Sequence, residues 1–205
     1  PPRSPLFPYT TLFRSGALHT CAARASGEVT CWGTGLGAGQ PPLGVSNVPV
    51  ALPGVTDAIG IGAGGDVSCA VRAGGEVVCW GANNYGQLGD GTTTNSALPV
   101  SVPSLDDAVA IAVGSYNACA LRSTGAIACW GYADLLGNGQ PTHSSLPVPV
   151  TGITDAVGVS VDHDHACALR ANGAVSCWGS GTYGQLGDGR PYWNVPQAVL
   201  DWPPP

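Results

Sequence analysis

Eight cysteines are the residues with the most chemistry to offer. They form four pairs, Cys21/Cys31, Cys69/Cys79, Cys119/Cys129 and Cys167/Cys177, each pair ten apart. A cysteine serves as metal ligand, nucleophile or half of a disulfide, and spacing separates these roles. Zinc frameworks use Cys-x2-Cys knuckles or matching His ligands, and neither accompanies these pairs. Each pair brackets a short glycine-containing turn. If the flanks are antiparallel strands, the two cysteines oppose one another at a non-hydrogen-bonded position, with Cα atoms ~4.5 Å apart. That lies at the short end of disulfide geometry. Two readings stay open. One is four disulfides, each contributing about 3 kcal/mol on the chain-entropy model. The other is eight small thiols packed as apolar residues. Disulfides would place the protein outside a reducing cytosol, at an extracellular, periplasmic or cell-surface location.

The other chemical motifs are weaker. Asp162-His163-Asp164-His165 resembles a metal site, but His165 recurs in register as His19, with Asp66 and Asn117 between, which reads as a hydrogen-bonding residue at a strand start. Gly33-Thr34-Gly35-Leu36-Gly37-Ala38-Gly39 imitates a phosphate-binding loop, yet no helical pattern follows it. Arg24 faces Glu28 and Arg72 faces Glu76 across a turn, as cross-strand pairs. No Ser/His/Asp order, paired carboxylate or nucleophile context stands out. The expectation is a non-enzyme with no cofactor and no bound metal. Net charge is −6 and lysine is absent, so nothing offers a footprint for nucleic-acid phosphates. No apolar run approaches the ~18 residues of a membrane span.

These residues are positioned by a repeat. HTCAARASGEVTCWG, DVSCAVRAGGEVVCWG, NACALRSTGAIACWG and HACALRANGAVSCWG end at Gly33, Gly81, Gly131 and Gly179, at steps of 48, 50 and 48 residues. Such a period marks units that bury their apolar faces by stacking on one another. Within a unit, two apolar runs flank a three-residue loop whose last member is Gly27, Gly75, Gly125 or Gly173. This predicts a hairpin with a type I turn and a glycine bulge. A loop, a Pro-Val strand and an apolar strand opening the next unit follow. Proline confines the Pro-Val strand to a sheet edge. The fold class is therefore all-β, with four-stranded antiparallel units that fit β-propeller blades. Cys and Trp alternate faces, so Trp32, Trp80, Trp130 and Trp178 are expected between blades. The repeats divide at about 16–61, 62–113, 114–161 and 162–205.

The first fifteen residues stand apart. LFPYTTLFRS, residues 6–15, matches in one frame the translation of a common sequencing-library adapter. Residues 1–15 are accordingly expected to be non-native and to lie outside the blades; an ordinary Pro-rich tail is the alternative.

The run H-x-C-A-L-x-x-x-G-x-V-x-C-W-G-x-N-x-x-G-Q-L-G-D-G-T, followed by Pro-Val and an apolar strand, resembles the regulator of chromosome condensation repeat family in its Cys-bearing bacterial form. Residues 66–113 carry the best copy and residues 165–189 nearly match it. The resemblance implies a seven-bladed propeller. Seven units would need about 340 residues at this period, so four blades are expected to be a fragment, with the missing blades of the same chain among its partners. Three functions are weighed; the first is the one expected, and the other two are alternatives. The first is a secreted or surface scaffold that binds an unknown protein through loops on one rim. The second, as in the eukaryotic members, is a guanine-nucleotide exchange factor. The third is a propeller enzyme with an axial site in the missing blades. Residues that break the repeat pattern sit mainly in loops: Tyr116, Tyr132, Asp134, His143, His163, Tyr192 and Trp193. Aromatic side chains there suit protein recognition.

Overall fold

The hairpin around each cysteine pair is the local nucleus, because its glycine turn fixes the register. The computed structural model describes residues 12–39 and 44–199. In it Cys21 opposes Cys31, Cys69 opposes Cys79, Cys119 opposes Cys129 and Cys167 opposes Cys177. All four pairs are disulfides, with Cα atoms 4.0–4.1 Å apart. The turn glycines have φ of 87°, 91°, 82° and 82°, a region where a side chain is strained. The space is also occupied: a Cβ on Gly75 would lie 2.5 Å from the Asp106 carbonyl oxygen.

Four antiparallel sheets follow in chain order. Blade 1 contains β1 (Leu12–Ser15), β2 (His19–Ala23), β3 (Val29–Thr34) and β4 (Val45–Ala51); blade 2 contains β5 (Ala58–Gly64), β6 (Val67–Arg72), β7 (Val77–Gly81) and β8 (Ser96–Val102). Blade 3 contains β9 (Ala108–Val113), β10 (Asn117–Arg122), β11 (Ile127–Gly131) and β12 (Ser144–Pro149); blade 4 contains β13 (Ala156–Val161), β14 (His165–Arg170), β15 (Val175–Ser180) and β16 (Tyr192–Ala198). The edge strands β4, β8, β12 and β16 hold Pro49, Pro99, Pro147 and Pro196, where a missing N–H breaks no ladder. The opposite edge strands β5, β9 and β13 place small residues, Gly62, Ala112 and Ser160, opposite a cysteine. Small size is required there: a Cβ on Gly62 would approach Val113 Cγ2 of the next blade to 2.7 Å.

The blades stack through one repeated contact. Trp80, Trp130 and Trp178 are fully buried, and each shares a buried cluster with the two disulfide cysteines of the preceding blade. Each indole N–H also donates to a carbonyl of that blade: Trp80 to Gly37 at 2.9 Å, Trp130 to Gln87 at 2.8 Å and Trp178 to Leu135 at 3.0 Å. Buried aromatic area and a satisfied donor thus act at the same place.

Four expectations are corrected. Residues 1–15 do not all lie outside the blades: Leu12–Ser15 forms β1 and pairs with β2, Arg14 opposite Cys21. Residues 1–11 lie outside the described residues. All four β1 residues are exposed, so this strand joins through backbone hydrogen bonds, which any extended segment offers to an open edge. Secondly, the sheets span 12–51, 58–102, 108–149 and 156–198. The repeat divisions near 113 and 161 therefore fall at the ends of β9 and β13, and the division near 61 falls within β5. Thirdly, the ion-pair partner of Arg72 is Asp57, at 2.8 Å, and not Glu76; Arg122–Asp107 at 2.7 Å and Arg170–Asp155 at 2.8 Å repeat it. The blade linker carries each aspartate back beside the hairpin. Arg24 does pair across its turn, with Glu28 at 3.8 Å. Fourthly, the position shared by His19, Asn117 and His165 is held in blade 2 by Val67 and not by Asp66, as the pairing with Gly81 shows.

Candidate functional site

Antiparallel order within a blade sends the loops between strands 1 and 2 and between strands 3 and 4 to one rim. The glycine hairpins and blade linkers occupy the other. On the first rim the β7–β8, β9–β10, β11–β12 and β13–β14 loops converge, and their rings meet. Tyr85 stands edge-on to Tyr116 at 5.6 Å, to Tyr132 at 5.3 Å and to His143 at 5.2 Å between ring centroids. Tyr132 lies 4.7 Å from His143, and Tyr116 lies 5.4 Å from His163. Rings from blades 2, 3 and 4 are thereby joined in one cluster, in which the Tyr85 contacts and the Tyr116–His163 contact have the edge-to-face geometry that aromatic quadrupoles favour and Tyr132–His143 is tilted.

Beside the cluster opens a cleft of about 440 Å³, lined in part by Tyr116, Tyr132, Asp134, His163, Asp164 and Tyr192, with Leu135 also lining it. Leu135 and Asp134 lie in a 3-10 turn, Ala133–Leu135. Its position is fixed twice, by Ala133 N–H donating to His143 Nδ1 at 2.9 Å and by the Leu135 carbonyl accepting from Trp178. The Tyr192 hydroxyl donates to Asp134 Oδ1 at 3.1 Å. Burial first, then the Asp134 charge and this hydrogen bond, push the Tyr192 phenol up to about 12, because all three disfavour the phenolate. Asp164 accepts from Gln185 at 3.1 Å and lies 3.3 Å from His165 Nδ1. Ser180 Oγ is paired with Thr182 Oγ1 at 3.2 Å. The polar groups thus have fixed local partners, and the cleft presents aromatic walls with carboxylates from two blades.

Of the seven loop residues singled out from the sequence, Tyr116, Tyr132, Asp134, His163 and Tyr192 line the cleft, and His143 buttresses it through Tyr85 and Tyr132. Trp193 does not join them. It lies on β16 opposite Gly179, with the Arg190 guanidinium 4.9 Å above its ring. The central ring, Tyr85, escaped the sequence reading because it sits inside a scaffold motif, Asn83-Asn84-Tyr85-Gly86-Gln87. It occupies a variable position of that motif, and this was the available signal. The glycine-rich loop is a docking element: the Gly37 carbonyl accepts from both Trp80 and Ser68. In the Asp-His-Asp-His run, Asp162 accepts from the His163 backbone N–H at 2.8 Å, and no group of three His, Cys, Asp or Glu side chains converges for a metal among the described residues. His19 Nε2 lies 2.7 Å from Ser68 Oγ, and burial lowers its pKa from the ordinary value.

Two family models, both described as "Regulator of chromosome condensation (RCC1) repeat", match the chain, one over residues 74–121 and the other over 58–87, 108–140 and 159–185. No match was found among curated protein sequences. Among solved structures, human WBSCR16 aligns with 25% identity and a TM-score of 0.84, over 95% of this chain and 54% of that one. Prp20p from Saccharomyces cerevisiae, described with its binding to Gsp1p and histones, aligns with 21% identity and a TM-score of 0.81, over 97% and 52%. Yeast RCC1 (Prp20) bound to Kap60 aligns with 20% identity and a TM-score of 0.80, over 97% and 50%. The chain spans about half the length of these solved relatives.

Proposed function

Because this chain belongs to the regulator of chromosome condensation (RCC1) repeat family, we propose that it works as a non-catalytic scaffold that binds a protein partner through one rim of its propeller. The observation that carries this reading is the convergence of five rings, Tyr85, Tyr116, Tyr132, His143 and His163, from three successive blades. Rigid aromatics on a fixed scaffold lose little entropy on binding and are enriched among residues that dominate interfaces. Tyr116 is 40% exposed and Tyr192 43% exposed, so the rings are available to a partner. Four disulfides suit an oxidising compartment, and we place the protein outside the cytosol. In this reading the remaining blades of a seven-bladed ring complete the same rim.

The test compares the unreduced protein with two double variants in an affinity capture from the source organism's surface and secreted fractions. Tyr85→Ser with Tyr116→Ser removes rim rings; Val48→Ser with Leu98→Ser alters exposed edge-strand residues. A specific partner should be retained by the edge variant and depleted at least tenfold by the rim variant. Equal recovery by both variants would show that the rim is not the binding surface.

A further inference from the structure

Resting on that reading, we propose that the cleft between blades 3 and 4 is a receptor for an arginine side chain of the partner. The walls are the first reason. Tyr85, Tyr116, Tyr132 and Tyr192 line the cleft, as does His163 beside Tyr116. The faces of such rings carry negative quadrupole potential and attract a cation, most of all when it is desolvated. A planar guanidinium also stacks on a ring while its edge N–H groups reach polar acceptors; a compact ammonium cannot do both.

The acceptors are the second reason. Asp134 comes from blade 3 and Asp164 from blade 4, and both line the cleft. Asp134 is hydrogen-bonded through Oδ1 to the neutral Tyr192 phenol, and the raised pKa of that phenol keeps it a donor across the physiological range. A carboxylate offers about four lone-pair sites, and the Tyr192 hydrogen bond takes up one of those on Asp134. Asp164 likewise accepts one Gln185 N–H and faces His165. No arginine lines the cleft and the chain contains no lysine; the basic groups at hand are the imidazoles of His163 on the wall and His165 beside Asp164. The nearest arginine in sequence, Arg190, has its guanidinium on the Trp193 ring.

Size is the third. A volume of about 440 Å³ lies within the usual range of small-ligand pockets and is ample for one arginine side chain with its flanking backbone. Aromatic walls and two carboxylates, with no arginine among the lining residues, together select a guanidinium over an anion, a neutral polar group or an aliphatic side chain.

The probe is N-acetyl-arginine methylamide, titrated into the unreduced protein and followed by shifts of the tyrosine ring resonances. N-acetyl-citrulline methylamide, a nearly isosteric neutral analogue, and N-acetyl-lysine methylamide are the comparisons. The arginine probe should bind with a millimolar dissociation constant, at least fivefold tighter than the lysine probe, and citrulline should give no saturable shift. Asp134→Asn and Asp164→Asn should each weaken the arginine probe at least fivefold, with an unchanged thermal midpoint verifying that the fold is intact. Tyr132→Leu should weaken it by a similar factor through loss of the ring face. Equal binding of citrulline, or full retention of arginine binding in both Asn variants, would overturn the proposal. So would no binding of the arginine probe at all. That last result leaves the rim-scaffold reading standing if Tyr85 and Tyr116 still govern partner capture. Conversely, arginine binding with capture indifferent to those tyrosines would remove the scaffold reading and keep the receptor.

Discussion

Gly89 explains at one position why the family motif Gln-Leu-Gly is invariant within the better repeats of this chain. Its φ is +70°, and a Cβ there would lie 2.7 Å from Nε1 of Trp130 in the next blade. Gly137 stands in the same relation to Trp178, with a Cβ 2.9 Å from Nε1. The glycine is therefore both a left-handed residue and the floor under a neighbouring indole. Gly89→Ala should destabilise the protein by about 1–3 kcal/mol, from left-handed strain plus overpacking. Gly54, which shares the positive φ but has nothing within 4 Å of a Cβ, serves as comparison and should lose only the strain part. Urea denaturation of the two variants measures the difference. Equal losses would show that the indole yields without cost.

At the scale of the element, β1 and β9 hold the same place in their sheets for different reasons. β9 contributes Val113, 7% exposed and part of a buried cluster that includes Trp130. β1 offers Leu12 at 39% and Phe13 at 63% exposure, and it places Arg14 where the other blades have Gly62, Ala112 and Ser160. The arginine–aspartate pair also fails here, since the residue fifteen before Arg24 is Tyr9. β1 thus departs from the first strands of the other blades in the residue it sets opposite the cysteine and in lacking the arginine–aspartate pair. Leu12→Ala with Phe13→Ala should change stability by no more than about 0.5 kcal/mol, whereas Val113→Ala should cost about 2 kcal/mol. Chemical denaturation midpoints distinguish the two. A large loss at Leu12 and Phe13 would mean that β1 is packed as a true blade strand.

The molecule as a whole presents two unlike faces. Each internal tryptophan reaches a carbonyl 43 residues earlier. For Trp32 that position precedes residue 1 of this sequence, and Trp32 is only half-buried while Trp80, Trp130 and Trp178 are fully buried. At the other end, the loop position corresponding to Gly37, Gln87 and Leu135 is Gln185, and Tyr183, two residues earlier in the same loop, is 91% exposed. One face thus offers an indole and the other offers a receiving loop, which is the complementarity of a head-to-tail contact. Residues 16–205 expressed alone should self-associate with rising concentration, because apolar blade faces of this kind exceed what soluble monomers usually expose. Size-exclusion chromatography coupled to light scattering reads this directly. A stable monomer across the concentration range would mean that these faces need no cover.

The sequence by itself determined the blade and much of its interior. A turn glycine sets hairpin register, register sets which cysteines oppose, and strand alternation sends Cys and Trp to opposite faces; each step is local, so each is written within about fifteen residues. Proline marked the outer strand for the same reason. The tertiary structure alone decided what happens between units. The seating of Trp130 over Gly89 joins residues that no short-range rule connects. The aromatic cluster shows the division most clearly. Tyr116, Tyr132 and His163 were visible as departures from the repeat, but their meeting depends on the rotation from blade to blade. Tyr85, at the centre, was hidden inside a scaffold motif. The strand at Leu12–Ser15 was invisible for the opposite reason: an open sheet edge selects backbone, and backbone hydrogen bonding leaves no trace in side-chain pattern.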